Sequence, residues 1–246
     1  MRLKAITCQV FTREMEAVCS RSPNAIDLEI LTMGLHDLGA QMRPYLQERI
    51  TAADSARNDA IVLAYGLCGR GTEGLRAVKT PLVLPRVHDC IGMLMGGRER
   101  YQEYFENHPG VYYRSPGWIE FQSPGSALEP AFAASRQVLG ERRSLEQLIE
   151  QYGEENGRYL FDQFTAYHRR YSGLTYISTG VEGDGTFREQ AHHEAEKHGW
   201  AFDEFKGSLQ LLQRLVDGDW DAADFLIVPP GKTVRATGQE PIVDAS

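Results

Sequence analysis

Cys8, Cys68 and Cys90 are three of only four cysteines in this 246-residue chain. Each closes or closely follows a short apolar run: Leu3-Lys-Ala-Ile-Thr-Cys8, Leu63-Ala-Tyr-Gly-Leu-Cys68-Gly-Arg-Gly, and Leu82-Val-Leu-Pro-Arg-Val-His88-Asp89-Cys90. A thiol placed where a strand stops and a loop begins can bind a metal or attack an electrophile. Three such thiols, with an imidazole nearby, suit a soft or borderline ion. Zinc takes Cys and His ligands tetrahedrally, and a catalytic zinc keeps one position open. A [4Fe-4S] cluster held by three cysteines leaves one iron for a substrate, and such clusters are held by thiolates. The separations of 60 and 22 residues are not the local CxxC pairing of a structural zinc ribbon. They describe a site that the fold has to assemble. Free cysteines also serve as small buried hydrophobes, and Cys19, inside a helical stretch, is assigned that bland role.

The residues around the thiols supply further candidates. His88, Asp89 and His36 are candidate acid/base groups, with His88 or His36 as a fourth metal ligand. Arg70 and Arg86 are candidate anchors for an anionic substrate, because guanidinium holds carboxylate or phosphate bidentately. Tyr65 and Trp118 are expected to wall the pocket, the latter displayed by a turn at Pro116-Gly117. Glu14, one turn beyond Cys8, reads equally as a first-turn residue favoured by the helix dipole and as a functional carboxylate. Gly66, Gly69 and Gly71 permit tight turns and close approach, but the segment is no phosphate loop. It lacks the Lys-Ser or Lys-Thr of a Walker A loop and the G-x-G-x-x-G spacing. There is no G-x-S-x-G nucleophile elbow either.

The elements that must position these residues are short β-type runs alternating with helical stretches. Expected strands are 3–7, 26–31, 60–65, 82–85, 174–178 and 225–228. Expected helices are 12–20, 36–52, 91–107, 184–199 and 207–217. Continuous Ile, Leu and Val runs mark parallel strands buried on both faces. The alternation predicts an α/β fold: a three-layer sandwich with a mostly parallel, Rossmann-like sheet. Residues 1–123 and 172–232 are expected to form the α/β core, 124–171 a helical insertion or cap, and 233–246 a loose tail. In such a sheet, ligands bind beyond the carboxyl ends of the strands, where the three cysteines fall.

Bulk properties narrow the class. The net charge is -8, which disfavours a broad nucleic-acid-binding face. No apolar run approaches the ~18 residues of a membrane span, and the amino-terminal residues read as a first strand rather than a signal peptide. Few cysteines without a signal peptide point to a reducing cytoplasm.

The blocks Tyr65-Gly-Leu-Cys68-Gly, Pro85-Arg-Val-His88-Asp89-Cys90-Ile, Arg100-Tyr101 and Pro116-Gly-Trp118-Ile-Glu120 resemble a family of unknown function, the domain family numbered 1638. The resemblance runs from Cys8 to the Trp220 and Phe225 region. It implies a cytoplasmic protein found near corrinoid-dependent methyltransferase systems, and hence one-carbon metabolism. It supplies no reaction. The leading expectation is a metal-binding protein, an enzyme acting on a small molecule, with Cys8, Cys68 and Cys90 as ligands of a metal ion, zinc being favoured and a [4Fe-4S] cluster the alternative. A metal-dependent transferase or lyase is the enzyme class this suggests. The rivals are an accessory protein that binds a corrinoid protein, a methyltransferase or a metabolite, and a metal-free cysteine-nucleophile enzyme.

Overall fold

Three of the apolar runs become the middle of one parallel sheet. β1 (Arg2–Cys8), β3 (Ala60–Ala64) and β4 (Leu82–Pro85) are buried along most of their length, as strands covered on both faces must be. The computed structural model describes residues 1–33, 35, 42–55, 57–122, 145–165 and 171–246. β2 (Ala25–Leu31) and β8 (Phe225–Val228) complete a five-stranded sheet in the order β2-β1-β3-β4-β8. Its first three pairings are parallel, and β8 runs antiparallel to β4.

The connections decide where a site can form. β1 leads through a one-turn 3-10 helix (Gln9–Phe11) and α1 (Thr12–Cys19) outward to β2. β2 returns through α2 (Met42–Ala53) across β1 to β3, and β3 then leads on to β4. The chain therefore leaves β1 and β3 in opposite directions. The crevice at their carboxyl ends is a topological switch point, where open α/β sheets bind ligands. α9 (Gln210–Asp217) buries Leu211, Leu212, Leu215 and Val216 against α1, β3 and β4. The result is the expected mixed α/β architecture, a mostly parallel sheet flanked by helices.

A second sheet was not anticipated. β5 (Val111–Arg114), β6 (Gly173–Ser178) and β7 (Ala201–Lys206) form a separate three-stranded parallel sheet, with α8 (Thr186–His198) between the last two. Leu174 and Tyr176 pack there against Ala191 and Ala195. The run at 174–178 is as apolar as the strands of the first sheet, so periodicity could not assign it elsewhere. β7, Ala-Phe-Asp-Glu-Phe-Lys, is half charged and carries no continuous apolar signal. The expected helix at 91–107 divides into α3 (Cys90–Leu94) and α4 (Arg98–Asn107). The break is at Gly96 and Gly97, whose φ values of 93° and 132° are left-handed and cannot continue a helix.

The tail is not loose. β9 (Val234–Ala236) and β10 (Val243–Ala245) pair antiparallel, and Val234, Ile242 and Val243 are buried. Three apolar residues split by a turn are too few to show as a periodic pattern. In the expected insertion, α6 (Leu145–Tyr152) and α7 (Glu154–Thr165) are helical. The remainder of 124–171, apart from Gly153 and Tyr171, lies outside the described residues, as does His36. No helix among the described residues is long and apolar enough to cross a membrane.

α5 (Pro116–Gln122) joins the second sheet to the first. Ser115 precedes it, and its hydroxyl accepts from the Trp118 amide at 3.4 Å. Pro116 takes the first helical position, where its missing N–H costs nothing. The expected turn at Pro116-Gly117 is thus a helix start. Gly117 lies against the 3-10 helix so closely that a Cβ there would sit 2.0 Å from the Val10 carbonyl oxygen. Gly117→Ala should therefore force the two apart and cost about 2 kcal/mol or more. Urea denaturation measures this, with Trp118 fluorescence reporting the displaced helix. An unchanged midpoint would show that the two elements do not bear on each other.

Candidate functional site

The three cysteines come from the ends of three adjacent strands. Cys8 is the last residue of β1, Cys68 follows β3, and Cys90 is the first residue of α3 beyond β4. The loops after β3 and β4 continue the pairing beyond the strands. Leu67 N donates to the Val87 carbonyl at 2.9 Å and Cys68 N to the His88 carbonyl at 2.8 Å. Gly66 makes this possible, since a Cβ there would meet Val87 O at 2.7 Å and Asp89 N at 2.8 Å. The chain then turns sharply. Cys68, Gly69 and Arg70 have φ of 47°, 60° and 71°. Left-handed backbone costs a non-glycine residue roughly 1 kcal/mol, so Cys68 and Arg70, on either side of Gly69, are held by their surroundings. Gly71 N bonds to Cys68 O at 3.0 Å, and the Thr72 hydroxyl donates to Gly66 O at 3.1 Å. On the other side, the Asp89 carboxylate caps α3 by accepting from Gly92 N at 3.1 Å, which sets the direction of Cys90.

All three thiols line one cavity of about 330 Å³. Tyr65, Asp89 and Trp118 line it too, so six of the expected site residues meet there. The sequence reading missed the apolar wall, which includes Phe11, Leu35 and Ile91, and two thioethers, Met33 and Met42. A signal for Met33 existed: it lies two residues past the end of β2, the fourth parallel strand to open on this edge. The site is therefore sulfur-rich, with three thiols and two thioethers.

The other candidates lie elsewhere. His88 is exposed and does not line the cavity; its carbonyl, not its ring, serves the site. Arg70 is exposed and paired with Glu73, its Nε 2.8 Å from Oε2. Glu73 in turn accepts from the Ala236 amide, which ties this loop to the carboxyl-terminal hairpin. Arg86 donates to the carbonyls of Phe225 and Val243 and clamps the same hairpin to β8. Both arginines hold the fold rather than face the cavity. Proximity in sequence to Cys68 and His88 misled, because the left-handed turn and the strand end aim these side chains outward.

The electrostatics follow from burial without a countercharge. No Lys, Arg or His is among the described residues lining the cavity. Burial pushes the Cys68 thiol up to about 12, and the neighbouring Cys8 and Asp89 add to this. Burial, then Asp89, Cys68 and Cys8, push Cys90 well above its ordinary value, against a small opposing contact from the Trp118 indole. Burial also raises Asp89, opposed by the amides of Gly92 and Ile91. Tyr65 is raised by burial and by Cys8 and Cys68, so it remains a phenol. Its hydroxyl is buried and has no partner among the described residues. No three His, Cys, Asp or Glu side chains among the described residues converge tightly enough to hold a single metal ion.

The thiolate is the reactive form of cysteine. With a pKa near 12, roughly one Cys68 in 10⁵ is ionised at pH 7, against a few per cent for a free thiol. Metal-free protein should therefore react with iodoacetamide at Cys68 on the order of a thousandfold more slowly than free cysteine. Mass spectrometry of alkylated peptides follows this. Fast labelling of Cys68 or Cys90 at neutral pH would reveal a base that activates it.

Neither a curated protein nor a solved structure matches the chain. The match to a family covers residues 30–216, which include Cys68, Cys90, Trp118, β3, β4 and the whole of the second sheet. On that extent the chain belongs to DUF1638, a family of proteins of unknown function.

Proposed function

We propose that this protein is an enzyme of small-molecule chemistry whose Cys8, Cys68 and Cys90 hold a thiophilic metal centre at the switch-point cavity. One observation carries the reading: three thiols from three adjacent strand ends converge on one cavity lined by further sulfur and, among the described residues, by no base. Burial holds Cys68 and Cys90 as neutral thiols. A soft cation reverses this, because a coordinated thiol is deprotonated outright. The donor set also fits: thiolates and thioethers select Cu(I), zinc and iron–sulfur clusters among biological metals.

The room favours a [4Fe-4S] cluster over a single zinc ion. Zn–S bonds are about 2.3 Å, so a zinc held by all three thiols would need them closer together than they stand, since no such trio among the described residues is tight enough for a single ion. A cluster spreads its thiolates around a larger body and, with three of them, keeps one iron open. Such a centre supplies Lewis acidity toward an oxygen or sulfur atom of the substrate. The chain supplies the rest. Phe11, Leu35, Ile91 and Trp118 keep water from the cavity, and the Tyr65 phenol donates its unshared hydrogen bond to whatever binds there. Asp89 caps α3 and holds Cys90 in place.

The cavity admits a small molecule and not a corrinoid ring. If the setting is one-carbon metabolism, a corrinoid protein would meet this one at its surface, and transfer of a methyl group to or from a small sulfur or oxygen compound is the reaction this site suits. Anaerobically purified protein from iron-replete cells should contain iron and acid-labile sulfide. Both should be lost in Cys68→Ser and Cys90→Ser with the fold retained by circular dichroism. Stoichiometric zinc without sulfide would replace the cluster with the zinc alternative. Protein that takes up neither metal on purification or reconstitution would overturn the reading.

A further inference from the structure

A second set of side chains with ligand chemistry lies where the two sheets meet, apart from the thiol cavity. Glu14, on α1, is fully buried. Its Oε1 accepts from the Thr179 hydroxyl at 2.9 Å. Glu182, in the loop after β6, accepts at Oε1 from the Ser178 hydroxyl. Two consecutive hydroxyls at the carboxyl end of β6 thus each hold one oxygen of a different carboxylate. The second oxygens, Glu14 Oε2 and Glu182 Oε2, are both buried and have no partner among the described residues. Tyr176, buried on β6 on the same face as Ser178, has an equally unpartnered hydroxyl and interacts electrostatically with both carboxylates.

The obvious countercharge is engaged elsewhere. Arg13, beside Glu14, forms a bidentate pair with Glu120, at 2.8 and 3.0 Å, and lies over the Phe187 ring. Burying carboxylate oxygens without hydrogen bonds or a cation is costly. Hydrogen bonds from neighbouring hydroxyls that orient a carboxylate are the support that metal-binding carboxylates receive. Hard divalent cations such as Mg²⁺ and Mn²⁺ bind through one or two carboxylates, with water and other oxygens completing the shell.

We propose that Glu14 and Glu182 bind a hard divalent cation, Mg²⁺ or Mn²⁺, through their Oε2 atoms at the junction of the two sheets. The cation links α1, at the mouth of the first sheet, to the β6 loop of the second. Burial, and then the Glu182 charge, push the Glu14 carboxyl up to about 7, against the Thr179 hydroxyl and Arg13.

Titration of the full chain with Mn²⁺ at pH 8, read by electron paramagnetic resonance of free Mn²⁺, tests this. The wild type should bind one Mn²⁺ per chain, displaceable by Mg²⁺. Glu14→Gln and Glu182→Gln should abolish binding, and Thr179→Val should weaken it about tenfold or more. Circular dichroism checks that each variant is folded. The Cys68→Ser and Cys90→Ser variants should bind Mn²⁺ as the wild type does, which separates this site from the thiol centre. Absence of Mn²⁺ binding by the wild type, or binding unchanged in both Gln variants, would overturn the proposal. A wild type that binds no Mn²⁺ but gains stability on Glu14→Gln would identify a carboxyl pair sharing a proton instead.

Discussion

The contact between two loop backbones at Gly66 sets the geometry on which the candidate site depends. β3 and β4 are short, and their ladder stops before either cysteine is reached. The bonds from Leu67 N to Val87 O and from Cys68 N to His88 O carry the pairing past the strands. They bring the loops so near that only hydrogen fits at Gly66 Cα. Cys68 and Cys90 therefore reach the cavity that Cys8, placed by its own strand, also lines. The left-handed run at Cys68, Gly69 and Arg70 is the consequence: having approached so closely, the chain has to turn away at once. Strain of that kind persists only where neighbours over-determine it. Here the Thr72 hydroxyl, the Arg70–Glu73 pair and the hairpin beyond it do so.

Two chemically opposite environments lie at the carboxyl ends of the two sheets. The first sheet ends in sulfur, in a low-dielectric cavity with no base among its described lining residues, where each thiol makes its neighbours harder to ionise. The second sheet ends in hydroxyls, which orient two carboxylates at the junction. Desolvation acts on both in the same sense, holding acids in their neutral forms. Gly117 and the 3-10 helix lie between them, so the wall of the thiol cavity and the start of α1 share one rigid segment.

Residues whose role depends on where a strand ends were readable in advance. Cys8, Cys68 and Cys90, with Tyr65 and Asp89, follow apolar runs closely enough that strand geometry alone sends them to one edge. Trp118 was placed in the pocket for a different reason than the real one, since Pro116 starts a helix instead of a turn. Residues whose role depends on side-chain direction were not readable. Arg70, Arg86 and His88 sit as near to the cysteines in sequence as Tyr65 does, yet the backbone turns them outward. Met33 and Met42 reach the cavity from elements that carry no chemical signal of their own.

The amino-acid sequence by itself determined the class of fold, the edge on which a site must lie and the thiols that mark it. Those depend on local propensity and on a continuous apolar pattern, and both are properties of short segments. Tertiary structure alone decided that β6 leaves the first sheet for a second, that the last 14 residues (233–246) fold back as a hairpin, and that Glu14 is buried opposite Glu182. Each of those outcomes turns on which segments distant in sequence bury one another, and equally apolar segments compete for the same partners until the whole chain is packed.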